Sequence, residues 1–137
     1  QMRRITTAGV AVRDGKFLMA RRKRASSPLS GMCEFPCGKL RHGESPEDTL
    51  KREFLEEFGL SITVGSFILE APFENESKRY LMKVYAVRIV SGEPVLREHD
   101  EIRWVTPDEM RVLPCGYSDT VIVQRLLSEG IRSPFPA

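Results

Sequence analysis

Arg52, Glu53, Glu56 and Glu57 fall within one short run, REFLEEFGL, at residues 52–60. On a helix, positions i, i+3 and i+4 share a face, so the three carboxylates crowd together. Each like-charge pair costs roughly 0.2–0.5 kcal/mol in a solvated helix, and more where water is partly excluded. With a step of about 100° per residue, Leu50, Phe54 and Phe58 form one apolar stripe, with Glu57 beside it and Glu53 just beyond. Both glutamates are therefore expected at the edge of the core. Something positive must compensate the crowding, and the economical candidate is a divalent cation. Ligands that are all oxygen favour a hard ion such as magnesium or manganese.

The elements that must position these carboxylates are marked in the chain. Ser45 is a good N-cap, Pro46 suits the first helical turn, and Asp48 completes a Ser-x-x-Asp capping box. Gly59 supplies the left-handed residue that ends the helix. Gly38 and Gly43 mark turns before it.

The whole stretch 38–60 reads GKLRHGESPEDTLKREFLEEFGL. Gly38, Glu44, Arg52-Glu53, Phe54, Glu56-Glu57 and Gly59-Leu60 stand at the spacing of the Nudix box, and the chain resembles the Nudix hydrolases at every defining position. The resemblance implies hydrolysis of a nucleoside diphosphate linked to another moiety. It also implies magnesium, or manganese in its place, held by the box glutamates. Arg52 would orient those carboxylates.

Around this helix, residues 4–13 carry the β-branched content of a strand, Asp14-Gly15 a hairpin turn, and 16–22 the return strand. Residues 23–32 are basic, small and rich in turn formers, which reads as a surface loop able to close over an anionic substrate. Residues 61–71 are a strand with Gly65 as a bulge candidate, 72–79 a polar turn, 80–90 a long strand and 101–105 a short one. Thr106-Pro107 opens a helix. Ser118 or Asp119 caps the last one, which runs to about Glu129 with Gly130 as its stop. Helices mixed with hairpins and longer crossings predict an α/β/α sandwich around a mixed β-sheet, in agreement with the Nudix fold. The 137 residues are read as one domain.

Further site residues follow from the resemblance to MutT-type Nudix enzymes, which hydrolyse nucleoside triphosphates. Arg22, at a strand end, corresponds to an arginine that contacts substrate phosphate. Glu34 to Lys39 read EFPCGK. There Phe35 would pack near the nucleobase, Lys39 would approach a phosphate, and the carbonyl of Cys37 would ligate metal. Cys37 departs from the usual glycine, so its backbone angles must suit a side chain. Glu98, six residues before Trp104, is the candidate for a further metal-side carboxylate, with Glu101 as its competitor. Asp119 corresponds to a residue that reads the base edge, a role compatible with capping a helix.

Composition bounds the rest. Apolar residues make up 41% and charged residues 29%, ordinary for a globular protein. A net charge of +2 gives no argument for binding a nucleic-acid duplex. No apolar run approaches membrane-spanning length, and no signal-peptide core is present. Cys33, Cys37 and Cys115 make no disulfide framework and suggest reduced thiols in a cytoplasm; Cys33, Cys37 and His42 fit no standard zinc spacing. Monomer and homodimer both stay open.

The expected chemistry is attack of water on a polyphosphate. One carboxylate among Glu53, Glu56 and Glu98 would accept the proton, while Arg22 and Lys39 clamp phosphates. The products would be a nucleoside monophosphate and pyrophosphate. An oxidised purine triphosphate such as 8-oxo-dGTP and a pyrimidine triphosphate such as CTP or dCTP remain alternatives. So do another nucleoside diphosphate derivative and a silent nucleotide-binding module.

Overall fold

The computed structural model describes residues 4–22, 31–97 and 99–129. The chain runs β1 (Arg4–Arg13), β2 (Lys16–Arg22), β3 (Cys33–Glu34), β4 (Cys37–Lys39), α1 (Pro46–Phe58), β5 (Ser61–Asn75), β6 (Lys78–Ser91), β7 (His99–Val105), α2 (Pro107–Val112) and α3 (Tyr117–Ser128). The loop expected over 23–32 and the stop at Gly130 lie largely outside the described residues, as does Glu98.

β1 is the pivot of a mixed sheet. It pairs in parallel with β6, from Arg4 opposite Tyr80 to Ala11 opposite Val87. Its other edge is divided. The first half pairs antiparallel with β4, with Thr6, Thr7 and Ala8 opposite Lys39, Gly38 and Cys37. The second half pairs with β2, with Val12 opposite Phe17. Between the two, the Gly9 N–H donates to the Pro36 carbonyl at 2.9 Å. β7 continues the sheet beyond β2, and β5 beyond β6.

Alternation along each strand sends side chains to opposite faces. Phe17 and Met19 face one core with Phe35, Met82, Val84, Met110 and Ile122. Leu18 and Ala20 face the other with Leu50, Phe54, Phe58, Leu60 and Val87. The first core lies beneath α2 and α3, the second beneath α1, which gives the α/β/α sandwich expected. Gly9 has no room for a side chain, since a Cβ there would stand 2.6 Å from the Phe54 ring. This close approach lets α1 lie directly on β1.

α1 is built as its sequence demands. Ser45 Oγ accepts from the Asp48 N–H at 3.1 Å, and the Asp48 carboxylate accepts from the Ser45 N–H in return. Gly59 ends the helix at φ 68°. Its last turn carries no basic residue of its own. Arg97 compensates from the connection between β6 and β7 by donating Nη1 to the carbonyls of Leu55 at 3.2 Å and Glu56 at 2.8 Å.

Two expectations need correction. Residues 72–79 are not a broad turn: β5 and β6 continue to a two-residue loop, Glu76-Ser77, at φ 52° and 66°. That is a type I′ geometry without its usual glycine or asparagine. The last helix is capped by Gly116, with no side-chain cap, and neither Ser118 nor Asp119 plays that part. Gly65 does fall at a register shift, between Val64 and Phe67.

Candidate active site

Arg52 holds the box together. Nε donates to Glu44 Oε2 at 2.7 Å and Nη2 to Glu44 Oε1 at 2.9 Å, a forked pair. Nη1 reaches Glu53 Oε1 at 2.7 Å and Glu56 Oε2 at 3.5 Å. Nη2 also meets the Lys39 carbonyl at 3.2 Å, which ties α1 to β4. Glu44 receives two further bonds, from the Thr49 hydroxyl at 2.9 Å and the Arg41 N–H at 2.8 Å. The bond from Arg52 does most to hold the Glu44 carboxyl down to about 2, and the Arg41 N–H adds to it. Part of the charge crowding is therefore offset by the protein's own guanidinium rather than left entirely to an ion. The side chain of Glu53 is 15% exposed and that of Glu56 51%.

Gly38 joins this cluster to a cavity. A Cβ on Gly38 would stand 2.4 Å from the Glu53 carboxyl carbon, so the carboxylate packs directly on the strand backbone. Gly38 also lines a cavity of about 300 Å³. The cavity lies over the stretch where β1 pairs with β4, and Thr6 and Ala8 of β1 contribute to its wall. Arg22, Glu34, Cys37, Lys39 and Asp119 line it as well. Phe73 and Tyr80 form an aromatic side, stacked at 5.0 Å and 11°. Lys39 Nζ lies 5.3 Å above the Tyr80 ring.

The charged groups of the cavity are organised by burial. Arg22 Nε donates to Glu34 Oε1 at 2.6 Å. The other carboxylate oxygen of Glu34 meets His99 Nε2 at 2.7 Å. Asp119 does not cap its helix. Its Oδ1 accepts the Phe35 N–H at 3.0 Å, across the fold. Loss of water raises the Asp119 carboxyl to about 7; the Phe35 N–H works against the shift, and the charge of Glu34 adds to it. Burial likewise pushes the Cys37 thiol well above its ordinary range.

The residues singled out in the sequence thus fall into connected groups. Arg52, Glu53 and Glu56 meet on α1, with Glu57 partly buried on the same helix. Arg22, Cys37, Lys39 and Asp119 share the cavity. Phe35 differs: its ring is 0% exposed and belongs to the core, so it meets the cavity through its backbone bond to Asp119. Cys37 lies in β4 and is not among the residues of positive φ, so a side chain is tolerated there. Sequence reasoning gave no role to Glu34, His99, Phe73 or Tyr80. Only Glu34 stood in a recognised segment, and no local spacing joins the other three to it.

Among the described residues, no group of three or more His, Cys, Asp or Glu side chains converges closely enough to hold a metal ion. The donor chemistry still fits a hard divalent cation. The carboxylates of Glu53, Glu56 and Glu57 and the carbonyl of Cys37 offer only oxygen. The raised Cys37 thiol stays protonated and is no competing soft ligand. All three cysteines are free thiols. No described helix is long and apolar enough to cross a membrane.

A helix of spaced carboxylates clasped by one arginine, packed through a glycine onto a cavity in a split mixed sheet, defines a class, and the chain belongs to it: the NUDIX domain family matches residues 2–124. It is a Nudix hydrolase. The CTP pyrophosphohydrolase of Escherichia coli K12 is 30% identical over 130 residues, spanning 95% of this chain and 94% of that protein. The putative 8-oxo-dGTP diphosphatase 2 of Mycobacterium tuberculosis H37Rv is 34% identical over 112 residues, 80% of this chain and 77% of that one. The solution structure of the E. coli ORF135 protein superposes with a TM-score of 0.78 at 28% identity, covering 93% of this chain and 91% of that chain. Family members generally use a divalent metal.

Proposed function

We propose that the protein, as a single Nudix domain, hydrolyses a nucleoside triphosphate to the nucleoside monophosphate and pyrophosphate. The observation that carries this reading is the double role of Gly38, which lines the cavity while Glu53 packs against it. A nucleobase in the cavity would thereby hang its phosphates toward the carboxylates of α1. A volume of about 300 Å³ stands at the lower end of small-molecule sites, roughly 300–1,000 Å³, and suits a base and its sugar rather than a whole triphosphate.

Glu53, Glu56, Glu57, Glu98 and the Cys37 carbonyl would hold the cation, magnesium or manganese in its place. When bound, it would neutralise phosphate charge and polarise the bond under attack. The protein's own groups do the rest. Arg52 keeps Glu44 ionised and orients the Glu44, Glu53 and Glu56 carboxylates. One of Glu53, Glu56 and Glu98 accepts the proton of the attacking water. Arg22 and Lys39 bind phosphate and stabilise the charge that develops there. Asp119, fixed by the Phe35 N–H, reads the base edge. With a pKa near neutrality it offers both a donor and an acceptor.

The names of the relatives in E. coli and M. tuberculosis point to CTP and 8-oxo-dGTP as the first substrates to try. The test is pyrophosphate release from a panel of normal and oxidised nucleoside triphosphates, with magnesium and with chelator. Release that depends on metal and favours one or two triphosphates is expected. No release from any of them would overturn the reading and move it to another nucleoside diphosphate derivative.

A further inference from the structure

His99 is 4% exposed, lies at the start of β7 and stands outside the Nudix box stretch of residues 38–60. Its ring stacks on Phe58 of α1 at 5.2 Å and 18°. Nε2 lies 2.7 Å from Glu34 Oε2. Nδ1 is buried with no hydrogen-bond partner among the described residues. These facts fix the tautomer. A proton on Nδ1 of the neutral ring would be stranded, and the Nε2 lone pair would then face a carboxylate. A proton on Nε2 removes both costs. Nε2–H therefore donates to Glu34, and Nδ1 is left as a buried acceptor.

Glu34 is then committed at both oxygens. Oε2 is held by His99 and Oε1 by Arg22 Nε at 2.6 Å. The Glu34 side chain is 10% exposed and that of Arg22 42%, so the carboxylate belongs to the interior and the arginine to the cavity rim. Glu34 takes Nε, and among the described residues none holds the two terminal nitrogens, which are the part of Arg22 left to meet an anion. A guanidinium is planar, so fixing Nε fixes the plane in which that fork lies.

We propose that His99 is a positioning residue for substrate phosphate: through Glu34 it sets the angle at which Arg22 presents its terminal nitrogens to the cavity. The relay runs from α1 through Phe58, His99 and Glu34 to Arg22, and joins the carboxylate helix to the phosphate-binding arginine through the core. It rests on the reading of Arg22 as a phosphate contact.

The test is a double-mutant cycle read on affinity. Equilibrium binding of inorganic pyrophosphate in magnesium buffer is measured for the parent, Arg22→Ala, His99→Leu and the double variant. KM and kcat are measured on the best triphosphate. His99→Leu is expected to weaken pyrophosphate binding and raise KM about tenfold, the scale of one charge-assisted hydrogen bond, with kcat within about threefold. The double variant should bind no worse than Arg22→Ala alone. The pair His99→Gln and His99→Asn provides the second measurement if the leucine variant fails to fold. Glutamine can place its donor near the position of Nε2 and should recover parental KM, while the shorter asparagine should not. An additive cycle, or equal losses in the glutamine and asparagine variants, would reduce His99 to a core residue. So would lower thermal stability at unchanged KM. A parent protein that binds no pyrophosphate overturns the relay as well. A parent that binds pyrophosphate but hydrolyses no triphosphate overturns only the proposed function.

Discussion

Two clusters of arginine and carboxylate stand on either side of β4, and they hold their charges in opposite ways. On α1, Arg52 forks onto Glu44 and reaches Glu53 and Glu56 near the solvent edge. There a carboxyl is drawn down to about 2. Across the strand, Arg22 is engaged by Glu34, and Asp119 lies half-buried at the cavity wall with one backbone N–H for support. There a carboxyl is raised to about 7. The first arrangement keeps Glu44 ionised and ties the neighbouring carboxylates to one guanidinium. The second keeps an acid near its midpoint, which suits the proposed reading of a base edge by a group that both donates and accepts. A single glycine, Gly38, touches both environments.

The hardest blow to this contrast falls on the α1 side. Glu57→Gln removes one charge with little change of shape. If the α1 cluster binds the cation, kcat for pyrophosphate release at saturating magnesium should fall by about a hundredfold or more, the scale of lost Lewis-acid stabilisation. Turnover within a few fold of the parent would take the metal away from this glutamate.

A smaller effect is expected at the clasp. Arg52→Lys keeps the charge but cannot fork onto Glu44 while reaching Glu53. A loss of about 10–100-fold in kcat/KM or in magnesium affinity is expected, the range found when supports of metal ligands are changed. Unchanged magnesium dependence would mean that Arg52 stabilises the helix and nothing more.

The two clusters also differ in how far the sequence revealed them. Every partner of Arg52 lies within 13 residues of it, on α1 or just before it. Helical spacing and a capping box therefore suffice to place the carboxylates, and the resemblance in the same stretch names their chemistry. The cavity is assembled otherwise. His99 is 65 residues from Glu34, and Asp119 is 84 from Phe35. Such pairs follow from strand order, which periodicity does not report. The type I′ turn at Glu76-Ser77 escaped notice for a related reason: tertiary pairing of β5 with β6 forces two ordinary residues into a conformation that composition assigns to glycine or asparagine. Phe35 stands in a recognisable segment, but alternation turns its ring to the core and leaves only its N–H for the site.

Asp119→Asn addresses the other side of the contrast and is expected to have the smallest effect. Asparagine keeps an oxygen for the Phe35 N–H and supplies a donor that no longer titrates. In the parent, the folded pKa of about 7 lies above the unfolded value of about 3.9. The folded state then binds more protons across that interval, so Asp119 makes stability fall as pH rises from about 4 through about 7. Glu44 works in the reverse sense. Its folded value near 2 lies below the unfolded value of about 4.3, so its contribution is present above that value and lost as pH falls toward 2. The asparagine variant should keep turnover within a few fold, lose any limb of the kcat/KM profile near pH 7, and gain melting temperature relative to the parent at pH 8 more than at pH 5. Asp119→Ala, with neither donor nor acceptor, should shift the order of preferred nucleotides more than it lowers kcat. If the pH profile keeps its limb in the asparagine variant, another group titrates there. If the alanine variant leaves the nucleotide order unchanged, Asp119 does not read the base.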